Sequence, residues 1–212
     1  MSSFHLLRRA LAGLLAALAC APAARPLAGV PAPERSLPAL ELAPGHRRVV
    51  FRWDYEENTL IARGEGAMRI ASPDSARVDL FLAGGIAVGR AILIGDSLTA
   101  TNHAQVSRFL PPPPLMWAAL GRLAIPPLPD TTLTVEGDLL HADIGRPAAW
   151  RVTIKGNRLM RLARLSGGRL VELVTRDDGG RLLYEVPGRR KLWLGIIREE
   201  EVPAFDASIW GP

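Results

Sequence analysis

From residue 47 onward the apolar residues of this chain recur at every second position, in short runs cut by glycine, proline and aspartate. Val49, Phe51 and Trp53 are spaced for one face of a strand, with Val50, Arg52 and Asp54 on the other. Asp54–Asn58 reads as a turn, and a second strand runs from Thr59 to Ile70. After Ser72-Pro73-Asp74 comes a third strand, in which Val78, Leu80 and Leu82 share a face. Ile86–Ile94 follows Gly84-Gly85, and Leu98–Asn102 follows Gly95-Asp96. Period two between Gly, Pro and Asp turns is the signature of antiparallel strands.

One segment breaks the rhythm. Pro111–Pro114 precedes Leu115-Met116-Trp117-Ala118-Ala119-Leu120 and then Gly121, which predicts a short helix with proline at its start and glycine at its end. Period two then resumes over 132–136, 139–144, 149–155, 158–165, 169–175, 181–186 and 191–198. Glu199–Glu201 reads as a solvated exit from the last strand. The expected fold is mainly β, about eleven strands with one or two short helices, and the missing βαβ rhythm disfavours a parallel sheet. One helix is too little to cover such a sheet. The remaining apolar face must close on itself, meet a partner or hold an apolar ligand. A closed barrel filled by its own side chains is the alternative to a cavity.

The N-terminal end has a different logic. Arg8-Arg9, an uncharged run from Ala10 to Leu18, and Ala19-Cys20 make a charged region, an apolar region and a small residue at a cut site. A Cys directly after the small residue resembles the lipobox of bacterial lipoprotein signal peptides, with Ala17 where that family prefers Leu. The resemblance implies cleavage after residue 19, diacylation of Cys20 and a membrane anchor. Plain secretion with cleavage after Ala19 or Ala23 is the alternative; the run falls short of the ~20 residues that span a bilayer. Removing residues 1–19 takes away Arg8 and Arg9 and no acid, so 26 Lys+Arg become 24 against 21 Asp+Glu, and net charge drops from +5 to +3. The cations are dispersed through the predicted strands without a block of like charge, which argues against nucleic acid as a partner. Cys20 is the only cysteine, so no internal disulfide forms. Residues 20–46, with Pro22, Pro26, Pro31, Pro33, Pro38 and Pro44, read as an extended spacer ahead of a domain over 47–212.

This order of signal, Pro-rich spacer, strands, one Leu-rich helix and more strands resembles LolA and LolB, the carrier and receptor family of bacterial lipoprotein sorting. Leu80-Phe81-Leu82-Ala83-Gly84-Gly85-Ile86 resembles the receptor's strand-to-strand corner, which presents an apolar residue. Leu115–Gly121, with Pro126 beyond it, resembles the receptor's Leu-rich helix, and Trp150-Arg151-Val152 resembles a Trp-containing strand start. The receptor's helical start to the mature domain is replaced here by prolines, and Phe205–Trp210 looks more like uncharacterised Lol-like lipoproteins. The resemblance implies an open, incomplete antiparallel β-barrel lidded by helices. It also implies a lipid-anchored periplasmic protein, on the outer membrane, that binds acyl chains of lipoproteins or lipids and meets a periplasmic carrier or envelope protein. Candidate cavity and lid residues are Leu80, Leu82, Ile86, Val88, Ile92, Ile94, Leu115, Met116, Trp117 and Leu120, with Ile86 as the exposed tip. No cofactor or metal is expected, since His46, His103 and His141 lack ligand spacing.

Gly95-Asp96-Ser97-Leu98-Thr99 copies the nucleophile block of Gly-Asp-Ser-Leu esterases, and Asp138-Leu139-Leu140-His141 copies their Asp-x-x-His. The blocks lie too close for the α/β sheet that family needs, and its Gly-x-Asn-Asp block is missing between them. Gly-Asp between alternating runs is also a hairpin signal. The reading is a binding protein and not an enzyme.

Overall fold

The computed structural model describes residues 23–101, 106, 109–126 and 128–211, so the signal and anchor expected at residues 1–20, Cys20 included, lie outside it. The strands are β1 (Val30–Pro31), β2 (His46–Glu57), β3 (Leu60–Ala71), β4 (Ser75–Leu82), β5 (Ala87–Ile94) and β6 (Ser97–Ala100). After helix α1 (Pro113–Ala119) come β7 (Thr131–Glu136), β8 (Leu139–Ile144), β9 (Trp150–Lys155), β10 (Arg158–Ser166), β11 (Arg169–Arg176), β12 (Leu182–Val186) and β13 (Arg190–Val202). All thirteen join one antiparallel sheet in the order β1-β7-β8-β9-β10-β11-β12-β13-β2-β3-β4-β5-β6.

Two meanders, β2–β6 and β7–β13, are therefore welded by their long members. β13 pairs with β2 along its whole length, from Arg190 opposite Glu57 to Val202 opposite His46. β6 and β1 are the free edges, so the sheet curls without closing and is an open barrel. Twist makes such curling natural, and a bulge at Ile196/Arg198 bends β13 further.

Alternation decides the faces. Val49, Phe51, Trp53 and Tyr55 point into the concave side and are all buried, as are Ala76, Val78 and Leu80 of β4 and Val152 and Ile154 of β9. The convex side carries a lattice of cross-strand ion pairs. Asp79 accepts from Arg69 at 2.7 Å, Arg77 at 3.0 Å and Arg90 at 3.3 Å, and Arg151 meets Asp143 at 2.7 Å.

The structure corrects the sequence reading of three segments of backbone. β2 continues through the expected turn to Glu57, and the reversal is confined to Asn58-Thr59, where Asn58 takes φ +53°. β13 runs on through Glu199–Glu201, because Arg47 and Arg48 on β2 pair with Glu199 at 2.7 Å and Glu200 at 3.4 Å. The Pro-rich stretch is not a free spacer over its described part. β1 adds to β7, Ala24 donates to the Gly168 carbonyl, and Leu40 and Leu42 are buried in the core.

Candidate ligand-binding cavity

The helix is the centre of the site. α1 begins within the proline run, where missing N–H groups cost nothing, and Gly121 ends it at φ +94°. Leu115 and Trp117 have no exposed surface, and Met116 and Ala118 are buried as well. A helix apolar on every side must lie inside a protein, and this one lies inside the curl of the sheet, against β10 and β11. Two hydrogen bonds fix it. The Trp117 indole N–H donates to the Gly95 carbonyl at 2.8 Å, tying the helix to the β5–β6 turn. Arg176 donates to the Ala119 carbonyl at 2.7 Å, satisfying one of the orphan acceptors of the last turn. Arg122 stacks over the Trp117 ring at 5.1 Å and donates to Glu41 at 3.1 Å.

Between helix and sheet lies an apolar hollow of about 40 Å³, walled by Trp53, Met68, Leu80, Phe109, Met116 and Leu120. That volume holds only about three water-sized spheres. Beside the helix's C-terminal end a second hollow of about 260 Å³ opens to solvent. The two share Met68, Ala119, Leu120 and Leu194 as walls, so they are neighbouring parts of one concavity. The second is polar at its rim, with Glu41, Arg47, Arg158, Arg176 and Glu199. Burial pushes the Arg176 guanidinium below its usual pKa, and the charge of Arg158 pushes the same way.

The opposite end of the concave face is held by a buried polar network. Glu172, 4% exposed, accepts from Arg164 at 2.6 Å and from the Tyr184 hydroxyl at 2.8 Å. Arg190 donates to the same hydroxyl at 3.1 Å. Burial first, and then the bond to Glu172, push the Tyr184 hydroxyl well above its usual pKa.

The ten candidate residues divide. Leu80, Met116 and Leu120 line the apolar hollow, while Leu115 and Trp117 are core beneath it. Leu82 sits on the rim, 36% exposed, in a separate hollow with Gly84 and Gly85. Ile86 is 65% exposed at the β4–β5 hairpin, whose turn rests on Gly84 and Gly85 at φ +86° and +81°, a region that other residues rarely adopt. Val88 packs against the core at a bulge between Leu80 and Phe81.

Ile92 and Ile94 do not reach the concavity. β5 pairs Val78 with Ala91 and Ala76 with Leu93, so Ala91 and Leu93 turn inward. Ile92 shares the face of Arg77, on the convex side. A one-residue offset reverses every side chain of a strand, and nothing in Ala91-Ile92-Leu93-Ile94 marks which pair is inside. Missed walls include Met68, Phe109, Leu192 and Leu194. The alternation of Leu192 with Leu194, and of Met68 with Ile70, was the available signal for three of the four.

The esterase pattern does not assemble. His141 Nδ1 lies 3.1 Å from the Thr153 hydroxyl, and its Nε2 lies 3.5 Å from Glu136. Asp138 faces Lys155 at 3.9 Å, and among the described residues no hydrogen bond joins Ser97 to His141. No described helix is long and apolar enough to cross a membrane.

No family model and no curated protein matches the sequence. Among solved structures the chain is similar to a LolA superfamily protein from Nitrosomonas europaea, at 9% identity, a TM-score of 0.49, and coverage of 81% of this chain and 92% of that one. A candidate outer membrane lipoprotein-sorting protein domain from Vibrio parahaemolyticus is similar at 5% identity and a TM-score of 0.47, covering 79% and 89%. A DUF1329 family protein from Desulfovibrio piger follows at 8% identity and a TM-score of 0.41, covering 79% and 90%.

Proposed function

We propose that this protein binds an acylated ligand, a lipoprotein in transit or a lipid, on the concave face of its open sheet. The observation that carries the reading is the apolar hollow between α1 and the sheet, walled almost wholly by carbon and continuous with a hollow open to solvent. Each methylene buried there contributes about 0.8 kcal/mol. The chain is anchored by acylated Cys20 on the periplasmic face of the outer membrane, and Ile86, exposed on its glycine hairpin, is the contact for handover to a carrier or membrane.

The test is native mass spectrometry of the full chain with Cys20→Ser, purified without detergent. Bound masses of fatty acids, phospholipids or acylated peptides support the reading; a clean apo mass after incubation with lipid refutes it. Loss of labelled palmitate from Cys20→Ser, relative to the parent chain in the producing cell, tests the anchor separately. A structural envelope lipoprotein without ligand is the second reading, favoured by how completely Leu115 and Trp117 fill the concavity.

A further inference from the structure

The solvent-open hollow has an unusual charge balance. Its two carboxylates each have an arginine: Glu199 meets Arg47 at 2.7 Å, and Glu41 meets Arg122 at 3.1 Å. Its other two guanidiniums, Arg158 and Arg176, have no carboxylate within ion-pair distance among the described residues. Arg176 is half-buried on the concave face and uses one nitrogen on the Ala119 carbonyl; Arg158 is exposed beside it. On the convex face, by contrast, Asp79 alone gathers three arginines. Here two like charges face one hollow, and the acids that act on Arg176, Glu199 and Asp177, are too distant to pair with it. Leu120 and Met68 then lead from this pair of cations into the apolar hollow.

A concavity that is cationic at its mouth and apolar at its depth matches an amphiphile of the opposite pattern. The guanidinium fork fits a carboxylate or phosphate with two parallel hydrogen bonds, and the apolar wall behind it excludes water that would weaken them. Resting on the acyl-binding reading, we propose that the ligand is an anionic amphiphile. Its carboxylate or phosphate head is received by Arg158 and Arg176, and its chain passes Leu120 toward Trp53, Leu80 and Met116. An acidic lipid meets this description, whereas the amide-linked, glyceride-bearing end of a lipoprotein has no anion at that point.

The experiment titrates the delipidated full chain carrying Cys20→Ser with four ligands of one chain length: palmitate, palmitoyl lysophosphatidic acid, monopalmitoyl glycerol and palmitoyl lysophosphatidylcholine. The anionic pair should bind about tenfold or more tightly than the other two, since hydrogen bonds to charged groups carry that difference. Palmitate alone binding tightly identifies a carboxylate head, and both anions doing so identifies the shared charge. Arg158→Gln should lose about tenfold on the anions and nothing on monopalmitoyl glycerol. Arg176→Lys, which keeps the charge and a donor for Ala119 but not the fork, should retain part of the preference that Arg176→Gln loses. Equal binding of all four overturns the anion site while leaving the acyl site standing. Binding of none overturns both.

Discussion

Replacing Trp117 distinguishes a helix that is part of the core from one that merely rests on the sheet. The side chain is fully buried, and its one polar atom donates to Gly95 across 2.8 Å. In Trp117→Phe most of the packing is kept and one hydrogen bond is lost. The Gly95 carbonyl lies in a half-exposed turn where water can replace the indole, so the loss is about 1 kcal/mol. Trp117→Ala also opens a cavity under Arg122 and costs about 3–5 kcal/mol. At 2–4 °C per kcal/mol for a chain of this size, the thermal midpoint should fall by about 6–20 °C. Urea unfolding followed by far-ultraviolet circular dichroism measures both variants, and the slope should stay at the parent value because the exposed surface hardly changes. A midpoint for Trp117→Ala within about 1 kcal/mol of the parent would refute the reasoning, because a helix packed as described cannot lose its largest side chain so lightly.

Glu172→Gln removes the charge that Arg164 and Tyr184 share and should cost about 1–3 kcal/mol in urea unfolding; parent stability would mean that water already solvates this carboxylate. Burial raises the Asp79 pKa, but Arg77 and Arg69 outweigh it and hold the carboxyl below its ordinary value. Its contribution is therefore full above about pH 4 and is lost as pH falls below that. The urea midpoint should drop on acidification there, and Asp79→Asn should flatten that drop. Ile86→Glu, on a hairpin where the side chain is mostly solvated, should leave the thermal midpoint within about 0.5 kcal/mol of the parent yet impair transfer of bound lipid to vesicles. A large loss of stability would make Ile86 core.

What the sequence disclosed follows from how locally each feature is written. Strands β7 to β12 were legible almost to the residue, since Gly137, Gly145, Gly156 and Gly167-Gly168 mark their reversals and alternation fills the space between. The helix was legible from its prolines and Gly121. Hidden features depend on residues far apart. Glu199 and Glu200 look like a polar exit until β2 supplies Arg47 and Arg48 across the ladder. Leu40 looks like part of a proline-rich spacer, although its carbonyl accepts from Leu123 and its side chain is buried. Ile92 and Leu93 are equally apolar; which one faces inward is set by pairing with β4, which the chain of β5 does not encode.

One helix does not cover so wide a sheet, and other segments of the chain cover much of the remainder. Leu40 and Leu42 from the proline-rich stretch, and Val106 and Leu110 from the connection before α1, fold into the concavity beside the helix. Val106 packs where Gly89 leaves room that no larger residue would leave. The apolar space left over is about 40 Å³, so an entering acyl chain must displace the protein's own side chains. A chain of about fourteen methylenes would gain about 11 kcal/mol on full burial, against about 3–5 kcal/mol for losing the packing of Trp117 alone. Binding of the proposed acyl ligand would therefore require an exchange, in which side chains around α1 yield the space that the chain takes.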